Sequence, residues 1–192
     1  MDIKREYKDL CLELSVRIKN LKQSREITSG IKSFFSNKYS KKMVLHSNGK
    51  GELLWDICIL ENEQNLKDSI NSGFKQQLFC IVESEIGGES ASSPNLMQKN
   101  LRYDFHKLLL GKSKLKFFIG AYSIGKNQNL NEKISDLHKI YLSYDEVSPL
   151  CLFMIMGTHN NENRSNQILV ETSLVRAFIM EGNEVNELNL NE

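Results

Sequence analysis

LFCIVESEI, residues 78–86, reads as a strand: large apolar residues up to Val82, then Glu83 and Glu85 in its C-terminal half, with Gly87-Gly88 to end it. Upstream, ELLWDICILE, residues 52–61, has the same apolar character and is interrupted by one charge, Asp56. Between the two, residues 62–76 are polar, with Leu66, Ile70 and Phe74 at the spacing of a surface helix. Downstream, Ser92-Ser93-Pro94 has the form of a helix start, serine as the cap and proline where no amide donor is needed. That helix is expected from about Asn95 to Leu110, with Leu101, Phe105, Leu108 and Leu109 inward, and Gly111 ends it. LKFFIGAY, residues 115–122, is a third long strand.

The flanks follow the same logic. Ile3, Tyr7, Leu10, Leu14, Ile18 and Leu21 recur at three- and four-residue steps, which predicts an amphipathic helix over 3–22. A short second helix is expected within 26–38, carrying Ile31, Phe34 and Phe35, then a short strand at Met43-Val44-Leu45 and a turn over 47–51. Leu130, Ile134, Leu137, Ile140, Tyr141 and Tyr144 mark a further amphipathic helix, and Pro149 precedes the apolar strand 151–156. Residues 158–166 read as a polar loop, 168–180 as one or two strands with a helix still open, and the tail from Glu184 as frayed. No repeat or linker divides the chain. The expected fold is α/β, a three-layer sandwich with a mixed central β-sheet flanked by helices: one domain over 1–192, with a core at about 3–157 and a strand-rich C-terminal extension at about 167–185.

The chain has 192 residues, 40% hydrophobic and 26% charged, which suits one globular domain and excludes collagen, a disordered tail and a disulfide miniprotein. No apolar run approaches the roughly 18–20 residues needed to cross a bilayer, so no membrane association is expected. The charged N-terminus MDIKREYKDLCLEL has no apolar signal core, and Cys11, Cys58, Cys80 and Cys151 form no CxxC pair; reduced, buried thiols in a cytoplasm are the reading. Charge is uneven. Residues 1–50 hold twelve Lys/Arg against five Asp/Glu, and residues 51–192 hold thirteen against nineteen. A basic arm beside an acidic body is what a nucleic-acid enzyme would use, cations for phosphates and carboxylates for a metal. Lys38, Lys41, Lys42 and Lys50 lie beside the first strands and are the expected phosphate contacts, with DNA as the partner; plain solvated lysines are the alternative.

Carboxylates inside strands carry the chemical signal. Glu83 and Glu85 are two apart and share a face, while Asp56 lies on a face with Leu54 and Cys58. A buried, unpaired carboxylate costs several kcal/mol unless it is paired or binds metal. Three such groups on neighbouring strands can converge on one hard cation, and Mg²⁺ (with Mn²⁺ as a substitute) takes one or two carboxylates plus water and substrate phosphate. The plainer alternative is that Glu83 and Glu85 mark where the strand emerges into water. On the following helix, Asp104 and Lys107 are three apart and so lie on one face, from which Lys107 is directed toward the carboxylates or simply pairs with Asp104.

LLWDICILE, IVESEIGGES and LRYDFHKLLLG, in the order helix, strand with Asp, strand with Glu-x-Glu, helix, strand, resemble the restriction-endonuclease-like, or PD-(D/E)xK, nuclease superfamily over about residues 3–122. They also resemble a Glu-x-Glu group within it that pairs a "LLD" strand with an "ESE" strand and a "DFxKLL" helix. The resemblance implies a restriction-endonuclease-like core and metal-dependent DNA cleavage. Asp56 takes the position of the motif's aspartate, Glu83 that of its second acid, and Glu13 on the first helix resembles the extra helical carboxylate of many members. Trp55 stands where the motif has proline. Glu85 stands where it has lysine, and Lys107 suits the members that carry the lysine on the next helix. Asp56, Glu83 and Glu13 would then hold Mg²⁺, Glu85 would position or deprotonate water, and Lys107 would offset charge on the transition state. Members often act as dimers, so a homodimer is a further expectation. The rival reading is a catalytically inactive nuclease-fold protein that binds nucleic acid or protein, which the glutamate at position 85 keeps open.

Other chemistries find less support. Gly120 to Asn127 approaches GxxxxGK[ST] between a strand and a helix, but Asn127 replaces the hydroxyl residue that holds Mg²⁺, so a glycine-rich turn is preferred. His46, His106, His138 and His159 have no zinc-site spacing, His106 reads as a surface residue, and GxSxG is absent. Ser84, between the two glutamates, points to the opposite strand face and is given no role.

Overall fold

The computed structural model describes residues 2–46, 55–61, 78–86, 94–123, 130–145, 147–159 and 168–190. Helix α1 (Ile3–Ile18) starts at Asp2, whose carboxylate accepts from the Lys4 and Arg5 amides at 3.1 and 3.2 Å. Helix α2 (Ser24–Lys38) starts where Glu26 folds back to accept from the Gln23 amide at 3.3 Å. There follow β1 (Val44–His46), β2 (Ile57–Leu60), β3 (Leu78–Glu85), α3 (Pro94–Leu110), β4 (Ser113–Ser123), α4 (Leu130–Leu142), β5 (Leu150–His159), β6 (Ile168–Glu181) and β7 (Glu184–Leu188). The seven strands form one mixed sheet in strict chain order.

β1, β2 and β3 pair antiparallel, β3, β4 and β5 parallel, and β5, β6 and β7 antiparallel. A parallel pair needs a crossover connection, and α3 and α4 supply the two that this sheet requires. Alternation along β4 then builds two cores. Phe117, Ile119 and Ala121 face Tyr7, Leu10 and Leu14 of α1 and Ile31 and Phe35 of α2. Phe118 and Tyr122, with Ile81 of β3, join Leu101, Phe105 and Leu108 of α3 and Leu137 and Tyr141 of α4. Helix α1 is anchored through Tyr7, whose hydroxyl donates to the Pro149 carbonyl at 2.7 Å and accepts from the Lys116 amide at 2.9 Å. All four cysteines are free and buried, and the Cys11 and Cys151 sulfurs meet at 3.4 Å between α1 and β5. Among the described residues, no helix is long and apolar enough to cross a membrane.

Several boundaries differ from the sequence expectation. The strand expected over 52–61 is formed only at 57–60; Trp55 and Asp56 make a bend ahead of it, and residues 52–54 lie outside the described residues. The first helix stops at Ile18, although Leu21 still packs on the core. β5 runs through His159, into the stretch read as loop. Residues 168–181 form a single strand, and the tail read as frayed forms β7, where Arg176 donates two 2.7 Å hydrogen bonds to the Glu187 carboxylate across the strand pair. The turn over 47–51, the helix over 62–76, Gly87-Gly88 and Ser92-Ser93 lie outside the described residues.

Candidate active site

The C-terminal end of β3 carries the site. Ile81 faces the core built by α3 and α4, so Glu83, two residues on, points to the same side. Helix α3 packs there through Leu101, Phe105 and Leu108, and this brings Lys107 over the strand. The Lys107 ammonium lies 3.3 Å from Glu83 Oε1 and 3.0 Å from Asp104 Oδ1. Glu83 is 1% exposed, and its Oε1 has no hydrogen-bond partner among the described residues; the ion contact with Lys107 is what it has. Trp55 fastens α3 to the start of β2 by donating from Nε1 to the Lys107 carbonyl at 3.0 Å. Its ring lies against Gly111, where a Cβ would collide with Ile81 Cδ1 and stand 2.9 Å from Trp55 Cζ2, so this close approach requires glycine.

Asp56 enters from the neighbouring element. The register sets Ile57 opposite Val82, so Asp56 lies beside the end of β3 just ahead of β2. Its Oδ2 accepts from the Ser84 amide at 2.8 Å and from the Ser84 hydroxyl at 2.7 Å. The Asp56 carboxylate thus takes a donor that a longer β2 would have satisfied with a carbonyl. Burial, with the negative charge of Asp56 added, pushes the Glu83 carboxyl up to about 8, against the pull of Lys107. Burial opposes the charge on Lys107, but the hydrogen bond to Asp104 and the charges of Glu83 and Asp104 outweigh it and raise its pKa. The Cys58 thiol, one strand over, is pushed up to about 11 by burial and by Glu83.

The structure therefore brings together Asp56, Glu83 and Lys107 from the expected set. Glu85 follows on the same strand face, half-buried and opposite Gly120 of β4. Glu13 is not part of the group: α1 packs on the other face of the sheet, and Glu13 is paired with Lys38 at 2.5 Å. Lys38 is thus held beside a carboxylate of α1 at the protein surface. Lys42 donates to the Glu61 carbonyl at 3.0 Å and sits 4.6 Å from the centre of the Phe79 ring, at the opposite end of β3. Four residues separate Phe79 from Glu83, about 13 Å along a strand. Lys41 is exposed beside Lys42, and Lys50 lies outside the described residues.

Ser84 and Trp55 belong to the site although the sequence reading gave neither a part in it, and Asp104 makes the pair with Lys107 that the reading held as the alternative. A hydroxyl between two acids at a strand end, where backbone amides run out of partners, was the available signal for Ser84. His106 is half-buried, with Nδ1 2.8 Å from the Tyr144 hydroxyl, rather than a free surface residue. Gly120, the first glycine of the P-loop-like run, lies inside β4 with Met154 and Leu101 close on it, while residues 124–129 lie outside the described residues.

Among the described residues, no group of three or more His, Cys, Asp or Glu side chains is gathered to hold a metal ion. Two carboxylates are present, one with a buried oxygen lacking a hydrogen bond, and two are enough for a cation that completes its shell with water and phosphate. In comparisons with known proteins, no family model, no curated protein and no solved structure matches the chain.

Proposed function

We propose that the chain is a metal-dependent nuclease of restriction-endonuclease-like type that hydrolyses phosphodiester bonds in DNA. The observation that carries this reading is the buried Glu83 carboxylate, set between Lys107 at 3.3 Å and the neighbouring Asp56 at one end of a mixed sheet. Two carboxylates that would hold a cation beside a lysine form a set able to hydrolyse an anionic ester. The antiparallel β1-β2-β3 followed by α3 and a parallel β4 supports it further, since it is the order the resemblance implies.

Asp56 and Glu83 are the residues that would hold Mg²⁺, or Mn²⁺ in its place. When bound, the ion polarises the scissile phosphate and lowers the pKa of a water. Ser84 binds Asp56 through Oδ2 alone, and this holds the carboxylate that would help to bind the cation. Glu83 must release its proton to become a ligand, and its raised pKa makes that step pH-dependent. Lys107, held charged by Asp104, offsets negative charge gathering on the phosphate in the transition state. Glu85 stands one strand step pair further out, where it orients or deprotonates the attacking water.

The rival reading is a nuclease-fold protein that binds nucleic acid without cutting it. It is favoured by one observation: both acids already have protein partners, Asp56 in Ser84 and Glu83 in Lys107. Plasmid DNA incubated with the full chain and Mg²⁺ or Mn²⁺ decides between them. The expected result is cleavage that disappears with chelator and in Asp56→Ala and Glu83→Ala variants shown by circular dichroism to be folded. Cleavage undiminished in both variants, or no cleavage by the wild type with either metal, overturns the nuclease reading.

A further inference from the structure

We infer that a groove between α1 and α2 is a second anion site, which holds backbone phosphates of the nucleic-acid strand presented to the carboxylates. The choice of nucleic acid as ligand rests on the function proposed above; the groove itself stands on separate observations.

Helices α1 and α2 flank an open groove of about 630 Å³ lined by Arg17 on one side and by Arg25, Ser29 and Ser33 on the other. The three α2 residues are four apart in succession and so form one stripe along the helix, facing the groove. Arg17 Nη2 donates across it to Ser33 Oγ at 3.4 Å, a contact long enough to yield to an oxyanion. Arg25 is exposed and makes no ion pair or side-chain hydrogen bond among the described residues. The one acid in the lining, Glu26, turns its Oε2 to the Lys22 and Gln23 amides at 3.4 and 3.3 Å, so it serves the start of α2. From Leu14 to Arg25 the chain carries Arg17, Lys19, Lys22 and Arg25 and no carboxylate. Two guanidinium groups and two hydroxyls in one concave surface match the oxygens of phosphodiesters, which arginine binds in a planar fork.

Position connects the groove to the candidate active site. Lys4 pairs with Glu181, Tyr7 bonds the Pro149 carbonyl and Cys11 meets Cys151, so α1 advances in the direction of β5. From Cys11 to Arg17 is about 9 Å of helix, equal to about three residues of strand. That brings Arg17 level with Met154, which is in register with Gly120 and, through it, Glu85. The groove and the carboxylates thus share one end of the sheet, on opposite faces, and a strand laid across that end reaches both. The lysines at the other end do not share this placement.

The test is binding of fluorescein-labelled oligonucleotides, a 20-base-pair duplex and its single strand, to the full chain without metal, read by anisotropy across a salt series. Arg17→Ala/Arg25→Ala is expected to weaken binding about tenfold and to lower the duplex salt slope by about 2. Arg25→Ala alone, which removes no ion pair or side-chain hydrogen bond among the described residues, is expected to lower the slope by about 1. A control pair on the far helices, Lys99→Ala/Lys139→Ala, is expected to change neither. Equal losses in the control pair, no loss in the arginine variants, or binding of inorganic phosphate alone with no oligonucleotide binding would each overturn the inference. Cleavage that survives while arginine substitution leaves binding unchanged sinks the groove and spares the nuclease reading. Arginine-dependent binding without any metal-dependent cleavage does the reverse.

Discussion

Ser84 holds Asp56 twice, donating to the same oxygen from its backbone amide at 2.8 Å and from its hydroxyl at 2.7 Å. The amide bond fixes where the carboxylate sits, and the hydroxyl bond fixes how it is turned. Ser84→Ala removes only the second. Stability should fall by about 0.5–1.5 kcal/mol in denaturant titration. The rate of metal-dependent cleavage should fall while Asp56→Ala remains the more damaging change. A Ser84→Ala variant with unchanged rate would mean that the orientation of Asp56 is set elsewhere.

Glu83 ties stability to pH. Its folded pKa of about 8 lies above the ordinary 4.5, so between those values the folded chain holds a proton that the unfolded chain has lost. The group therefore favours the folded state most at acid pH, and this contribution declines as pH rises from about 4.5 through about 8. Glu83→Gln, which cannot ionise, should gain on the wild type over that window, with a melting-point difference that widens by several degrees between pH 5 and 8.5, at about 2–4 °C per kcal/mol. Lys107→Met should show the converse, losing about 1–3 kcal/mol and losing more at pH 9 than at pH 6, because the unpaired carboxylate is then charged. Parallel pH profiles for all three proteins would contradict the coupling.

Mg²⁺ or Mn²⁺ should raise the melting midpoint of the wild type, by about 1.4 kcal/mol of stabilisation at ten times Kd. The rise should be larger at pH 8.5 than at pH 6, since Glu83 must shed its proton to serve as a ligand. Asp56→Ala and Glu83→Gln should show none. A shift of the same size in all three proteins would place the cation elsewhere.

Gly111 turns the chain from α3 into β4 beneath Trp55. A methyl group there collides with Ile81 Cδ1 and crowds Trp55 Cζ2. Gly111→Ala should cost about 1–3 kcal/mol through overpacking, despite the usual benefit of replacing glycine. Because Trp55 also bonds the Lys107 carbonyl, the same change should lower cleavage in excess of its effect on folding.

Much of this fold was legible because its signals are periodic. The α1 stripe from Tyr7 to Ile18, the apolar strands 78–82 and 115–122, and the helix ending at Gly111 follow from spacing and turn chemistry alone. Residues 184–188 were not legible, since β7 has an exposed, polar pattern and owes its order to β6 and to Arg176, a tertiary cause. In the site, Lys107 near Glu83 could be anticipated from helix phase. Glu13 was misplaced because a one-dimensional pattern does not say which face of a sheet a helix covers. Ser84 was passed over because strand alternation describes side chains in the middle of a strand, and at its end a bend brought Asp56 round to the hydroxyl.

Every strand of the sheet hydrogen-bonds to the strand made just before it. Among the described residues, no later strand is inserted between two that are already in place. During synthesis the sheet can therefore grow by accretion from its first edge, each newly emerged strand docking on the one waiting for it, with α3 and α4 closing over it in turn. The cost of that route is that every nascent stage short of β7 presents an unfinished rim of free amides and carbonyls, open to a neighbouring chain on the same ribosome cluster.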